Sequence, residues 1–115
     1  MPKEAVLENA VMEVLWSAGE PLTTRGVQER LDGHRVAYTT VMTVLVRLWN
    51  KGLLDRRKTG RAYAYRPRRS REEHTATRME EMLDAAGDRH AALSRFVETL
   101  SASERRQLKG LLEER

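Results

Sequence analysis

Apolar residues in the first half of the chain recur at steps of three and four, the spacing that places them on one side of a helix. Residues 4–18 carry such a stripe, and Gly19 ends it. Residues 20–24 form a turn in which a threonine is the expected N-cap of a short second helix, closed by Asp32 and Gly33. A third helix is predicted over residues 37–51. The predicted apolar faces of the first and third helices comprise Val6, Leu7, Ala10, Val11, Val14, Leu15 and Ala18, and Tyr38, Val41, Leu45 and Leu48.

The period changes after the third helix. Residues 53–58 and 61–66 are runs of strand length on either side of Thr59 and Gly60, and the second run alternates alanine with tyrosine. This pattern predicts a two-stranded hairpin with a basic tip, whose tyrosines pack on the core. Three helices followed by a hairpin is the order of a winged helix-turn-helix, in which the second helix supports the third in the major groove.

The last third of the chain returns to helical spacing. Ser70 and Glu73, and later Ser101 and Glu104, have the spacing of capping boxes that begin helices. In the first of these helices, Ala76, Met79, Leu83 and Ala86 form a narrow seam typical of contacts between helices. We therefore predict a mainly α protein with a small β hairpin: a winged helix-turn-helix domain at residues 1–69 and a helical dimerisation domain at residues 70–115. The predicted dimerisation residues are Ala76, Met79, Leu83, Leu93, Phe96, Val97, Leu100, Leu108, Leu111 and Leu112.

The composition indicates the cellular compartment of the protein. The 115 residues include no cysteine, which excludes disulfides and cysteine metal sites and suits a reducing compartment. No apolar run approaches the roughly 18 residues that a membrane-spanning helix needs. We expect a cytoplasmic protein without membrane insertion.

Positive charge is concentrated in the middle of the chain. The formal net charge is only +4, yet residues 35–71 hold eleven basic residues and one acidic residue, Asp55. A basic segment between more acidic ends is typical of a protein that binds a polyanion with that segment. A solvated basic surface without a partner is the alternative.

Two sets of residues are candidates for contact with double-stranded DNA. The side of the third helix opposite its apolar face carries short hydroxyl side chains and one arginine, which suit base edges and phosphates. A merely solvated face would more often carry Glu, Lys and Gln. The hairpin tip carries basic side chains that can reach the phosphate backbone, although exposed tips are often charged. The recognition-helix candidates are Thr39, Thr40, Thr43, Arg47 and Asn50, and the wing candidates are Arg56, Arg57, Lys58 and Arg61.

Catalysis and metal binding find no support in the sequence. His34, His74 and His90 are scattered, and no nucleophile, base or ligand set of suitable spacing accompanies them. We expect no enzyme activity, no cofactor and no bound metal.

Three stretches of the chain resemble the penicillinase repressor family of the BlaI and MecI type. They are AVMEVLW at residues 10–16, AYTTVMTVL at residues 37–45 and GRAYAYRP at residues 60–67. The resemblance implies a homodimer held by C-terminal helices, with each third helix in one half-site of a palindromic operator. Thr39, Thr40, Thr43 and Arg47 match the recognition-helix positions of the family.

The resemblance also implies a mode of release in some members. A membrane sensor of β-lactams controls proteolysis of the repressor at an Asn-Phe bond in its dimerisation arm. The matching phenylalanine here is Phe96, preceded by Arg95, so the candidate cleavage site departs from the family pattern. A second hypothesis for the whole chain is a winged helix that binds RNA or an acidic protein through its basic face.

Overall fold

The computed structural model describes residues 3–31 and 35–115. The predicted helix stop at Asp32 and Gly33, and His34, lie outside the described residues. The described elements are α1 (Lys3–Ala18), β1 (Leu22–Thr23), α2 (Thr24–Arg30), α3 (Tyr38–Asn50), β2 (Leu54–Thr59), β3 (Ala62–Pro67), α4 (Arg71–Ala85), α5 (Arg89–Glu98) and α6 (Ala102–Glu114). This is a mainly α fold with a small antiparallel sheet, in the element order of a winged helix-turn-helix.

The chain divides into two compact units, Met1–His74 and Thr75–Arg115, which we call the head and the arm. The head holds an aliphatic core, to which α1, α2, α3 and the sheet all contribute. The buried apolar residues among those described are Val11, Met12, Leu15, Leu22, Val27, Leu31, Val41, Val44, Leu45, Leu48, Leu54 and Tyr65.

Local hydrogen bonds set the junction of α2 and α3. Thr23 is the N-cap of α2, and its hydroxyl accepts from the backbone N–H of Gly26 at 3.2 Å, as the threonine-rich turn predicts. The Gln28 amide donates to the carbonyl of Val36 at 3.0 Å, which ties α2 to the segment preceding α3. These bonds hold α3 at a defined place beside α2.

The sheet has three strands in the order β1-β3-β2, all antiparallel. β2 and β3 form the predicted hairpin, in which Thr59 pairs with Ala62 and Gly60 takes a positive φ of 63° in the turn. β1 was not predicted, because two residues are too few to show a strand period. It pairs Leu22 with Tyr65 on the far side of β3.

Three apolar side chains depart from the predicted faces. Val6 and Tyr38 lie in the first turns of α1 and α3 and are 47% and 42% exposed. Both stand at the edge of the apolar stripe, where the helices have not yet met the core. Of the two strand tyrosines, Tyr65 is buried as expected, but Tyr63 is 39% exposed because it lies nearer the hairpin tip.

The arm comprises the rest of α4 together with α5 and α6. Both predicted capping boxes are present: Ser70 and Glu73 begin α4, and Ser101 and Glu104 begin α6. None of the side chains from Thr75 to Arg115 is buried. The arm therefore has regular helices but no core of its own.

Within residues 3–31 and 35–115, no helix combines the length and the apolar character needed to span a membrane.

Candidate nucleic-acid interface

The outward face of α3 is centred on small polar side chains. Thr39, Thr43 and Asn50 are exposed and lie opposite Val41, Val44, Leu45 and Leu48, which are buried. The Thr43 hydroxyl donates to the carbonyl of Thr39 at 2.9 Å. Its proton is therefore engaged, while its lone pairs and its methyl group still face outward and can meet a base amine or a thymine methyl.

The same face includes one side chain that sequence reasoning missed. Met42 is 41% exposed although it is apolar and lies in the middle of α3. Its position next to Thr39 and Thr43 follows from the helical rotation of about 100° per residue. A flexible thioether in this place suits contact with a thymine methyl or with sugar carbons.

Arg47 occupies the edge of this face that is nearest to α1. One of its guanidinium nitrogens lies 3.6 Å from a carboxylate oxygen of Glu8, and Lys51 Nζ lies 2.9 Å from the other oxygen. The Glu8 side chain is only 16% exposed, so solvent screens these two contacts less than it would at an open surface. Glu8 thus restrains Arg47 on α3 and Lys51 at the C-cap of α3, a role with no signal in its own sequence neighbourhood.

Thr40 faces a shallow groove between the first halves of α1 and α3. Its wall is formed by Glu4 and Leu7 of α1 and by residues of α3, namely Thr39, Thr40, Thr43, Val44 and Arg47. Four of the predicted recognition-helix residues, Thr39, Thr40, Thr43 and Arg47, therefore line one groove, whereas Asn50 does not line it.

The wing presents exposed basic side chains around a tight turn. Arg57, Lys58 and Arg61 are all exposed. The register places Arg57 opposite Ala64 and Lys58 opposite Tyr63, so these two cations lie on opposite faces of the hairpin. Gly60 has no side chain at the tip, which lets the backbone approach a partner closely.

Arg56 differs from the other wing cations because it is stacked between two rings. Its guanidinium carbon lies 3.6 Å from the ring centroid of Trp49 and 4.0 Å from that of Tyr63. One of its nitrogens also lies 3.5 Å from the Tyr65 hydroxyl. A cation over an aromatic face contributes about 0.5–2 kcal/mol, depending on desolvation. Arg56 is therefore part of the packing of the hairpin against α3.

A second aromatic cluster fixes the start of α4 to α1. The Trp16 indole donates to the carbonyl of Arg69 at 2.9 Å, and its ring lies 5.2 Å from that of His74. Arg71 pairs with Glu13 at 2.6 Å, and this hydrogen bond raises the pKa of Arg71. The sequence alone gives no signal of this contact, because Trp16 and Arg69 are 53 positions apart.

The apolar residues predicted to hold two copies together are exposed or half-buried in the arm. Leu83, Leu100 and Leu108 are half-buried, and the other predicted dimerisation residues are exposed. The largest exposed apolar side chains in the arm are Met79, Met82, Leu93, Phe96, Val97, Leu111 and Leu112. Met82 is the one member of this group that the seam pattern missed.

Among the described residues, no group of three or more His, Asp or Glu side chains could hold a metal ion.

Comparison with known proteins identifies the family. The profile described as penicillinase repressor matches residues 5–114. The chain belongs to the penicillinase repressor family.

Two relatives place the chain within this family. The transcriptional regulator BlaI of Mycobacterium tuberculosis is 46% identical to this chain over 112 residues. The match covers 94% of this chain and 81% of that protein. The penicillinase repressor of Bacillus licheniformis is 27% identical over 118 residues, which cover 99% of this chain and 92% of that protein. Among solved structures, the PcaV transcriptional regulator from Streptomyces coelicolor matches with a TM-score of 0.47 and 27% identity, over 94% of this chain and 71% of that one.

Proposed function

We propose that this member of the penicillinase repressor family is a dimeric transcriptional repressor that binds a palindromic DNA operator. Residues 1–69 bind the duplex, and residues 70–115 hold two copies together. Each α3 lies in the major groove of one half-site while each wing follows the adjacent phosphates.

The observation that carries this proposal is the pairing of two surfaces within the head. The central face of α3 exposes Thr39, Thr43 and Asn50, which are short enough for the helix to lie deep in a groove. The wing beside it exposes Arg57, Lys58 and Arg61, which can neutralise phosphates. A surface that reads base edges next to one that binds the backbone is what specific duplex recognition requires.

The dimer part of the proposal rests on the exposed apolar side chains of the arm. Leu112, Leu111 and Met79 are 69%, 51% and 48% exposed, and the arm has no buried side chain to stabilise it. Burial of apolar surface contributes about 25 cal/mol per Å², which a second copy of the same helices can supply. A closed two-fold dimer matches the two-fold symmetry of a palindromic site.

The decisive test is fluorescence anisotropy of the full chain on the DNA upstream of its own gene and on a scrambled duplex, across a salt series. We expect the upstream duplex to bind about a thousandfold or more tightly, with a steep loss of affinity as salt rises. Equal and weak binding of both duplexes would contradict the proposal for this DNA. Preference for a single-stranded RNA or an acidic protein would then favour the second hypothesis for the basic face.

Two substitutions separate base reading from backbone contact. Arg47→Ala should reduce the preference for the operator over scrambled DNA, whereas Lys58→Ala should lower affinity on both by a similar factor. The measurement is the ratio of the two dissociation constants for each variant. Equal losses on both duplexes for Arg47→Ala would remove Arg47 from base reading.

Proteolytic release under a membrane sensor is the part of the proposal that concerns regulation. The candidate bond, Arg95–Phe96, lies inside α5, and the Phe96 carbonyl accepts from both the backbone and the hydroxyl of Thr99. Cleavage there requires local opening of α5, since proteases act on opened segments. Mass spectrometry of the chain from β-lactam-treated cells tests it: a fragment ending at Arg95 supports release, and an intact chain while the regulated genes are induced excludes it.

A further inference from the structure

We propose that Arg56 is a positioning residue that fixes the wing against the recognition helix α3, rather than a phosphate contact of the wing. The effect on DNA affinity rests on the proposed function. The effect on the geometry of the free protein does not.

The Arg56 side chain contacts two aromatic rings. Arg56 lies on β2, Trp49 on α3 and Tyr63 on β3, so one side chain joins three elements. Its guanidinium carbon is 3.6 Å from one ring centroid and 4.0 Å from the other. The guanidinium therefore lies against the faces of two rings, and one of its nitrogens lies 3.5 Å from the Tyr65 hydroxyl.

The stack lies between the two proposed DNA-binding surfaces. Trp49 immediately precedes Asn50, the last residue of α3, and Tyr63 pairs with Lys58 near the wing tip. Groove reading by α3 and phosphate binding by the wing must occur together, so their relative placement affects affinity through preorganisation. A rigid link between Trp49 and Tyr63 holds that placement in the free protein.

Arginine and lysine differ in how they contact aromatic rings. The planar guanidinium of arginine can stack on aromatic faces, whereas the ammonium of lysine is a compact, strongly hydrated charge without a plane to stack. A phosphate contact, in contrast, depends mainly on charge and tolerates lysine. Arg56→Lys keeps the charge but loses the planar stacking, while Arg56→Gln removes the charge as well.

The matched control is Arg57, the next residue on β2. It has the same charge and is exposed, and the strand alternation places it on the opposite face of the hairpin. Arg57→Lys and Arg57→Gln therefore change the wing charge in the same way without touching the stack.

The first measurement is amide hydrogen exchange of the free full chain. We expect both Arg56 variants to increase exchange in the β2–β3 hairpin by about tenfold, the size of effect that loss of a cation–π stack worth roughly 1.4 kcal/mol produces. Neither Arg57 variant should do so. Unchanged hairpin exchange in the Arg56 variants would overturn the proposal, whatever the protein binds.

The second measurement is anisotropy of the same four variants on the upstream and scrambled duplexes across a salt series. Arg56→Lys and Arg56→Gln should both lose about tenfold affinity for the upstream duplex with an unchanged salt slope. Arg57→Gln should reduce the slope by about one, and Arg57→Lys should retain it. Full binding by Arg56→Lys, together with a reduced slope for Arg56→Gln, would make Arg56 a phosphate contact instead. If the unmodified chain shows no preference for the upstream duplex, the proposed operator function fails, while the exchange result still decides the stack.

Discussion

The head and the arm are both helical, but they satisfy the burial requirement in opposite ways. In the head, Val11, Val27, Val41, Leu45 and Leu54 are completely buried. In the arm, even Leu83, Leu100 and Leu108 are only half-buried. The same chain therefore contains one unit that carries its own core and one that has helices without a core.

This difference separates the two sources of helix stability. The arm helices have strong local signals, including the Ser101 and Glu104 capping box and the Asp88 N-cap of α5. Such signals each contribute about 1 kcal/mol, and short isolated helices remain marginal in water. The head also buries apolar side chains, so we expect it to be stable as a single copy. We expect the arm to become stable only when it associates with a second copy.

The largest expected effect is the loss of a core side chain in the head. Leu45→Ala should lower the free energy of unfolding by about 2–5 kcal/mol, because it leaves a cavity at a fully buried position. Urea unfolding followed by circular dichroism measures this loss, which should be the same at low and high protein concentration. Leu112→Ala, at a position that is 69% exposed, is the control and should leave head stability unchanged. A similar loss of unfolding free energy in both variants would contradict the view that only the head has a core of its own.

The next effect concerns association through the arm. Leu83→Asp should weaken dimerisation by about a hundredfold or more, and operator binding with it, because it places a charge in the proposed apolar seam. Sedimentation equilibrium gives the dimer constant directly. Ala85→Asp adds the same charge on the opposite side of α4 and should have little effect. An unchanged dimer for Leu83→Asp would remove α4 from the interface.

A smaller effect is expected on the DNA-facing side of the head. Glu8→Gln removes the carboxylate that lies 2.9 Å from Lys51 and 3.6 Å from Arg47. Lys51 then becomes available to a phosphate, whereas Arg47 is proposed to read bases, so the salt slope should steepen by about one. Titration of scrambled DNA at several salt concentrations measures the slope, and sedimentation should show an unchanged dimer. A slope equal to that of the unmodified chain would mean that Glu8 does not compete with DNA.

Gly26 allows a gain of stability confined to the head. A Cβ added there meets Thr23 Oγ1 at 3.5 Å and Leu22 Cβ at 3.6 Å, which are ordinary contacts. Gly26→Ala should stabilise the head by about 0.4–1 kcal/mol, because alanine restricts the unfolded chain. Thermal unfolding tests this gain. Gly52→Ala is the opposing control, since Gly52 has a φ of 81° and should lose stability on substitution.

The smallest effect is a response of the two capping boxes to acid. The backbone N–H of Ser101 donates to the Glu104 carboxylate and holds its pKa below the ordinary value of 4.5, and Ser70 does the same for Glu73. Since the folded pKa is lowered, each carboxylate stabilises its helix above pH 4.5 and loses that contribution as the pH falls through the lowered pKa. The amide signals of Ser70 and Ser101 in an NMR titration should report this step. Glu104→Gln should abolish it at Ser101 alone.

Periodicity predicted much of the fold. The helices, the hairpin and both capping boxes were predictable from the spacing of apolar residues and from local side-chain chemistry. Both signals depend only on residues that are close together in the sequence. β1 could not be found in this way, because Leu22 and Thr23 become a strand only through pairing with β3. Val6 and Tyr38 lie on helical stripes, and only the position of the core shows that they are exposed.

In the candidate site, too, some features follow from local sequence and others depend on contacts between distant residues. The exposed positions of Thr39, Thr43 and Asn50 follow from helical rotation alone. The restraint of Arg47 by Glu8 joins residues 39 positions apart, and the stack on Arg56 joins residues of three elements. By charge alone Arg56 and Arg57 are equivalent. Only the folded structure shows that Arg56 contacts two aromatic rings.

The two tryptophans give the head a pair of built-in optical probes. Trp49 lies 3.6 Å from the Arg56 guanidinium, and Trp16 lies 5.5 Å from that of Arg71. Indole emission shifts when a nearby charge moves, so each ring reports on a different part of the head. Single-tryptophan versions, made with Trp16→Phe or Trp49→Phe, would follow the wing and the start of α4 separately, without an added dye.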